Sequence, residues 1–256
     1  MRYLFLTLLL LLPGVAMADI AGNDTPAKAP LNRSIFRFAL MAGDELLGGG
    51  TAFLSDRGLI TCYHCVEPIG RNVVRVSKTT STPQGLEAQV LTIWAQVIDC
   101  HGVARRVAGW TRVARADIVV LDCGELPQEW VPLKWAAALP EPWKPVYCYG
   151  YYGASGWSRM DYALLSKGAG WTEGVEVEYD ADGVVGMSLR HSAPIYQGFS
   201  GGPTINYEGE VVGVNAWVGG RGHYAVSGSE LWPPEPEEPE EEPTPTPAPP
   251  CTKPGG

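Results

Sequence analysis

Short apolar runs alternate with turn residues along most of this chain. The runs are rich in β-branched and aromatic residues, and Gly, Pro, Asp and Asn separate them. They occupy Val73–Val76, Ala88–Ile98, Ile118–Leu121, Val146–Tyr149, Val175–Tyr179 and Val211–Asn215. No long stretch shows the periodicity of a helix. The pattern predicts an all-β fold, because short and regularly spaced strands of this kind form antiparallel barrels.

The first 18 residues have the pattern of a secretory signal. Arg2 supplies a positive charge, Leu4–Leu12 an apolar core, and Ala16-Met17-Ala18 a small-residue cleavage site before Asp19. The apolar core is shorter than the roughly 20 residues that a membrane-spanning helix needs. We therefore expect removal of residues 1–18, no membrane span in the mature protein, and a secreted or periplasmic location.

Residues 233–256 form a second segment of unusual composition. This segment is rich in proline and carries six glutamates and one lysine, which account for −5 of the net charge of −9. A chain of this composition buries too little apolar surface to fold, so we expect a disordered tail. The remaining body is mildly acidic, which argues against nucleic acid as a partner.

A serine flanked by glycines is the strongest candidate for chemistry. In Gly198-Phe199-Ser200-Gly201-Gly202-Pro203, the glycines let the backbone turn sharply and expose the hydroxyl. The amides of Gly198 and Ser200 can then point at one place. An exposed nucleophile beside two such donors suits acyl transfer through an oxyanion.

Two upstream segments offer the partners that such a serine needs. His64, in Thr61-Cys62-Tyr63-His64-Cys65, follows the strand-like pair Leu59-Ile60 and is the candidate base. Asp117 precedes the apolar run Ile118–Leu121 and is the candidate acid, since a carboxylate there can hold one ring nitrogen of a histidine.

The order His64, Asp117, Ser200 resembles that of the trypsin-like serine proteases of the chymotrypsin fold. The segments 48–54 and 193–203 are most similar to the bacterial Deg/HtrA-type branch, although no PDZ-like domain is expected after the protease domain. The resemblance covers roughly residues 35–232. It leaves residues 19–34 as an N-terminal extension and implies two six-stranded antiparallel β-barrels with the active site between them.

The resemblance implies a serine endopeptidase that acts on proteins or peptides without a metal or other cofactor. It also implies a substrate pocket with Pro194 near its base and Asn215, Ala216, Trp217 and Gly222 along its walls. None of these residues is charged, so we expect a neutral side chain to be preferred over Lys or Arg. His191 can polarise this pocket, but a surface loop is the favoured interpretation. The oligomeric state is left open.

Two positions depart from the trypsin pattern. Phe199 stands where trypsin has the aspartate that pairs with a newly cleaved amino terminus, so we expect no activation by insertion of a terminus. Ala216 stands where a serine often supports the catalytic aspartate, and the Deg/HtrA branch tolerates this change.

Six cysteines and a signal segment indicate an oxidising compartment, but the sequence does not choose among their pairings. Cys65 follows His64, as a cysteine does in many trypsin relatives, yet Gly49 occupies the position of its usual partner. Cys62 with Cys65 and Cys100 with Cys123 remain possible pairs. Cys251, in the tail, is either free or intermolecular.

Three alternative functions remain open at this point. The first is a protease fold that has lost turnover and only binds proteins. The second is a metal protein built on Cys62, His64 and Cys65, for which Cys100-His101 is the nearest second cluster, whereas structural zinc sites want four ligands. The third is an esterase or transferase that uses the same serine.

Overall fold

A computed structural model describes residues 19–20, 31–78, 86–113, 116–152, 164–180, 183–219 and 222–226. The predicted signal segment, the acidic tail and Cys251 lie outside these residues. Within the described part of the chain, no helix has the length and apolar character needed to cross a membrane.

The described residues are almost entirely β-structure, as predicted, and fifteen strands follow one another along the chain. The strands are β1 (Asp19–Ile20), β2 (Ile35–Ala42), β3 (Glu45–Ser55), β4 (Gly58–Thr61), β5 (Asn72–Lys78), β6 (Leu86–Ile98), β7 (Ala104–Arg106), β8 (Gly109–Arg112), β9 (Val119–Asp122), β10 (Pro145–Tyr152), β11 (Leu164–Asp180), β12 (Gly183–His191), β13 (Pro203–Asn206), β14 (Val211–Gly219) and β15 (Gly222–Val226). A one-turn helix, α1 (Tyr63–Val66), and a 3-10 turn at Leu31–Arg33 complete the described elements.

The strands form two curled antiparallel sheets, which confirms the predicted chymotrypsin-like double barrel. The second sheet closes on itself, because β11, β10, β13, β14, β15 and β12 pair in that order and β12 returns to β11. This ring has the six strands that were expected, and the short strand β1 adds to it at β11.

The first sheet differs from the prediction in its strand count. Its order is β5-β6-β2-β3-β4-β9-β8, and β7 is an eighth strand that pairs with β6. The long strand β6 explains the surplus. Its first half pairs with β5 and its last residues pair with β7. Two strands therefore pair with different parts of the same long strand.

The connecting segment 123–144 ties the two sheets together. Leu133 exchanges backbone hydrogen bonds with Leu54 and Asp56 of the first sheet. Further along, the amide of Val211 in β14 donates to Lys134, and Ala136 donates to Val211. The indole of Trp135 also donates to the hydroxyl of Ser55 at 3.2 Å. These contacts fix the orientation of one sheet against the other, and hence the site between them.

The larger apolar core extends across this junction. It includes Ile60 of the first sheet, Ile118 just before β9, and Tyr149 and Val214 of the second sheet, all fully buried. Burial of these side chains provides most of the stability of such a fold. A smaller core lies within the second sheet and contains Leu189, Phe199 and Val212.

We expect Phe36→Ala to lower the free energy of unfolding by about 3–5 kcal/mol, because it leaves a cavity in a packed core. Phe36 is fully buried and stacks on Trp130 of the connecting segment, with ring centroids 4.0 Å apart. Urea denaturation measures the change. Val74→Ala is the control, since Val74 is 65% exposed and its loss should cost less than about 0.5 kcal/mol. Equal effects of the two substitutions would contradict this account of the core.

Candidate active site

The candidate base lies in the single turn of α1. The chain leaves β4 at Thr61, passes through an extended Cys62 and begins the turn at Tyr63. The Cys62 side chain makes no capping hydrogen bond to this turn. Instead, Asp117 accepts a hydrogen bond from the His64 amide on Oδ1 at 2.9 Å, and its backbone carbonyl accepts the Tyr63 amide at 3.3 Å. The candidate acid therefore holds the backbone that carries the candidate base.

The same carboxylate also holds the imidazole. Asp117 Oδ2 lies 2.7 Å from His64 Nδ1. Asp117 stands just before β9, which pairs with β4, so the register of these strands brings the two residues together. A hydrogen bond at Nδ1 leaves Nε2 as the nitrogen that can accept a proton from a nucleophile.

The environment of His64 changes its affinity for protons. Burial has the largest single effect and by itself would lower the pKa of His64, but the hydrogen bond with Asp117 and further polar contacts together outweigh it and raise the pKa above the ordinary histidine value. Interactions with Cys62 and Cys65 act in the same direction. Because 45% of the His64 side chain is exposed, solvent limits the effect of burial.

Ser200 lies on the segment between β12 and β13, where two glycines adopt backbone conformations that other residues rarely take. Gly198 has a φ of +100° and Gly201 a φ of +85°. A side chain at Gly201 would also collide with Thr61 Oγ1 and the carbonyl of Thr51. The turn therefore depends on glycine both for its conformation and for its closeness to the first sheet.

The serine and the histidine line one cleft between the sheets. The cleft has a volume of about 260 Å³, and its described lining consists of Phe38, Leu40, Gly49, His64, Cys65, Gln197, Gly198 and Ser200. The Ser200 hydroxyl donates to the carbonyl of Ala216 at 3.3 Å and, among the described residues, forms no hydrogen bond with His64. Catalytic hydrogen bonds are often long or unformed without substrate, so this conformation is compatible with a catalytic serine.

The two candidate oxyanion donors are available. Within the described part of the chain, neither the Gly198 amide nor the Ser200 amide donates to a protein acceptor, although the amides of Phe199, Gly201 and Gly202 all do. Phe199 donates to Tyr196 at 2.9 Å, and Gly202 donates back to Phe199 at 2.8 Å. The turn thus satisfies its other amides and leaves these two for a ligand.

The predicted pocket residues lie at different places around the second sheet. Ala216 supplies the carbonyl that holds the Ser200 hydroxyl. Pro194 follows β12, and its carbonyl lies against Gly168. Trp217 and Gly222 lie on the paired strands β14 and β15, where Trp217 is opposite Tyr224. Three of the predicted residues have described side chains, namely Pro194, Asn215 and Ala216, and none of these three is in the described lining of the cleft that holds His64 and Ser200.

Asn215, a predicted pocket residue, has its side chain inside the second sheet. Its side chain is fully buried, its amide donates to the carbonyl of Tyr149 at 2.8 Å, and its carbonyl oxygen accepts the Thr204 hydroxyl at 2.6 Å. Because both ends of the side chain are used inside the sheet, Asn215 has a structural role here and the predicted substrate contact is not supported.

His191 is also placed differently from the favoured expectation of a surface loop. It is fully buried at the end of β12. Its Nδ1 lies 3.1 Å from the carbonyl of Ala193, and its Nε2 lies 3.6 Å from Cys148 Sγ. Sequence reasoning missed this placement because its partner on β15 and the contact with Cys148 depend on pairing between distant strands.

The cleft contains two apolar residues that sequence reasoning did not select. Phe38 and Leu40 lie two residues apart on β2, and their partners on β3 are Gly50 and Gly48. The alternation that puts both on one face is visible in the sequence. The pairing with glycines, which leaves space beside them, is visible only in the structure.

The described cysteines form no disulfide. Cys62, Cys65, Cys100, Cys123 and Cys148 are all free, so neither suggested pair is made. The Cys62 thiol donates to the carbonyl of Asn215 at 3.1 Å. Gly50, the neighbour of Gly49, faces Cys65, because a Cβ at Gly50 would lie 3.2 Å from Cys65 Sγ.

The metal alternative has some geometric basis, but with a different ligand set. Donor atoms of Cys62, His64 and Asp117 lie within 4.8 Å of one another, whereas Cys65 is not part of the group. These donors fit a metal poorly. His64 and Asp117 already bind each other, and burial raises the pKa of the Cys62 thiol, which keeps it protonated.

Solved structures support the architecture. The fold is similar to that of the Rv3671c protease from M. tuberculosis in its active form, with a TM-score of 0.54, 17% identity and coverage of 78% of each chain. Deg5 gives a TM-score of 0.52 at 17% identity, over 77% of this chain and 84% of that chain. The HtrA-type protease AlgW with a tripeptide gives 0.51 at 13% identity, over 77% and 56% of the two chains. At these identities the similarity concerns the fold.

Sequence comparisons identify the family. A search of curated proteins gives no match. The family model of the trypsin-like peptidase domain matches residues 50–214, which are more than half of the chain and include His64, Asp117 and Ser200. The chain therefore belongs to the family of trypsin-like peptidases.

Proposed function

We propose that this peptidase is a serine endopeptidase that hydrolyses proteins or peptides through an acyl-enzyme. The observation that carries the proposal is the cleft that contains both Ser200 and a histidine whose Nδ1 is bound 2.7 Å from Asp117. The two unused amides beside the serine provide the remaining element of acyl-transfer chemistry.

The reaction begins when the Ser200 hydroxyl turns from Ala216 towards His64. His64 Nε2 accepts the hydroxyl proton while Oγ attacks the scissile carbonyl, and Asp117 stabilises the imidazolium that forms. The amides of Gly198 and Ser200 bind the oxyanion. His64 then gives its proton to the leaving amine, which breaks the peptide bond. A water molecule, activated by the same histidine, hydrolyses the acyl-enzyme.

The preferred substrate side chain in this proposal is neutral. The described lining of the cleft contains the apolar side chains of Phe38 and Leu40 and no carboxylate. A preference for Lys or Arg needs a buried negative charge, since an isolated ammonium or guanidinium is costly to desolvate. The secreted or periplasmic location rests on the sequence of residues 1–18 and is part of the same proposal.

We expect Ser200→Ala to abolish cleavage of a denatured protein, with kcat reduced by about a millionfold, because the nucleophile is lost. Incubation of both proteins with the substrate, followed by sequencing of the fragments, measures activity and preference together. A fluorophosphonate should label the wild type, and His64→Ala should abolish that labelling.

Two outcomes would overturn this proposal. Cleavage that persists in Ser200→Ala would show that another group is the nucleophile. A wild type that neither cleaves nor accepts the fluorophosphonate would favour the alternative of a binding module. Fragments produced mainly after Lys or Arg would contradict the neutral preference alone.

The pH dependence should follow His64. Only the neutral imidazole accepts the serine proton, so kcat/KM should rise with pH as His64 loses its proton. Because the folded environment raises the pKa of His64, the midpoint should lie above the ordinary histidine value of about 6.5. Asp117→Asn removes the hydrogen bond that raises the pKa, so the midpoint should move to lower pH and the plateau should fall by about 10⁴-fold.

Steady-state kinetics on a peptide substrate across the pH range test this expectation. Asp122→Asn is the matched control, because Asp122 ends the same strand β9 and is exposed, with Oδ1 accepting the Gly124 amide. Its profile should match that of the wild type. A midpoint that does not move in Asp117→Asn would show that His64 is not the titrating base.

Activity should not depend on a free amino terminus. Phe199 is 1% exposed and packs edge-on against Tyr196, with centroids 5.5 Å apart, so this position offers an incoming ammonium group no carboxylate. We expect a chain with extra residues before Asp19 to keep the kcat/KM of one that begins at Asp19. A strict requirement for cleavage before Arg33 would contradict this expectation.

A further inference from the structure

Thr51 connects the first sheet to the turn that carries Ser200. It lies on β3, pairs with Arg37 of β2 and is fully buried. Its amide donates to the carbonyl of Ser200 at 2.8 Å, and its own carbonyl accepts the Thr61 hydroxyl at 2.7 Å. The backbone of one residue therefore joins the nucleophile to the strands that lead to His64.

The side chain of Thr51 makes a second connection to the same turn. Its hydroxyl donates to the carbonyl of Gly198 at 2.7 Å and accepts the amide of Tyr151 at 2.9 Å. The hydroxyl has one proton, which it donates to Gly198, and the same oxygen accepts the Tyr151 amide. These two bonds together fix the rotation of the hydroxyl group. The orientation of this side chain on the first sheet is therefore set by two groups of the second.

Each of the two carbonyls that Thr51 holds follows one of the candidate oxyanion donors along the chain. The Gly198 carbonyl belongs to the peptide that follows the Gly198 amide, and the Ser200 carbonyl belongs to the peptide that follows the Ser200 amide. Gly198 has a φ of +100°, a region in which glycine rotates easily. Apart from the Thr51 hydroxyl, the peptide between Gly198 and Phe199 is held by the bond from Phe199 to Tyr196.

We propose that the Thr51 hydroxyl is a positioning group for catalysis, which fixes the Gly198 peptide so that the Gly198 and Ser200 amides converge on the oxyanion. This inference rests on the proposed function. Thr51 itself touches neither substrate nor reacting atoms. Its loss should raise the energy of the transition state while leaving ground-state binding of the substrate almost unchanged.

Thr172 provides a matched control for the loss of a buried threonine hydroxyl. It is also fully buried in a strand, and its hydroxyl also donates to a backbone carbonyl, that of Glu141 at 2.6 Å, and accepts an amide, that of Lys144 at 3.0 Å. Neither partner belongs to the nucleophile turn. Thr172→Val thus removes the same pair of hydrogen bonds as Thr51→Val without a connection to Ser200.

The experiment compares kcat, KM and thermal stability for the wild type, Thr51→Val, Thr51→Ser and Thr172→Val. Thr51→Val keeps the shape of the side chain and should lower kcat at least about tenfold with KM nearly unchanged, because oxyanion donors must be placed accurately. Thr51→Ser keeps the hydroxyl and should retain most of the wild-type kcat. Thr172→Val should lose stability and keep kcat.

Each of three results would overturn the inference: an unchanged kcat in Thr51→Val, an equal loss of kcat in Thr172→Val, or a loss in Thr51→Ser as large as that in Thr51→Val. If Thr51→Val does not fold, Thr51→Ala replaces it in the same comparison. Failure of the proposed function looks different, because the wild type itself would then show no cleavage that depends on Ser200.

Discussion

The close approach of β3 to the turn around Ser200 is the constraint on which the site depends. A Cβ at Gly50 would lie 2.7 Å from the carbonyl of Ser200, and one at Gly201 would collide with the carbonyl of Thr51. Only glycine leaves room for backbones this close. The approach allows the Thr51 amide to reach Ser200, and it brings a hydroxyl on the second sheet beside a histidine on the first.

Polar contacts between the sheets fix their relative position, which apolar packing alone does not. Packing holds the sheets together but is not directional. Hydrogen bonds from the Thr51 hydroxyl to Gly198, from the Thr51 amide to Ser200 and from the Cys62 thiol to Asn215 specify one register between them. The last of these bonds ends on the backbone carbonyl of Asn215, whose side chain is bonded to Tyr149 and Thr204 within the second sheet.

The pairing of Asp117 with His64 combines structure and chemistry in one carboxylate. One oxygen accepts the His64 backbone amide in α1, and the other binds Nδ1 of the imidazole ring. The orientation of the imidazole is therefore as rigid as the turn that carries it. The same contact is one of those that raise the pKa of His64, so one interaction both orients the imidazole and helps to determine the pH at which it is neutral.

The sequence by itself determined the all-β class, the positions of most strands and the choice of His64, Asp117 and Ser200 as the candidate residues. It could do so because these features depend on residues that are close together in the chain, namely the alternation of apolar and polar residues, the glycines at turns and the residues that flank a serine. Contacts between residues far apart in the chain needed the tertiary structure. These contacts depend on the register between distant strands, and a shift of one residue would reverse which side chains face inward. They account for the burial of His191, the internal role of Asn215, the free cysteines, the surplus strands on β6 and the contact between Thr51 and Gly198.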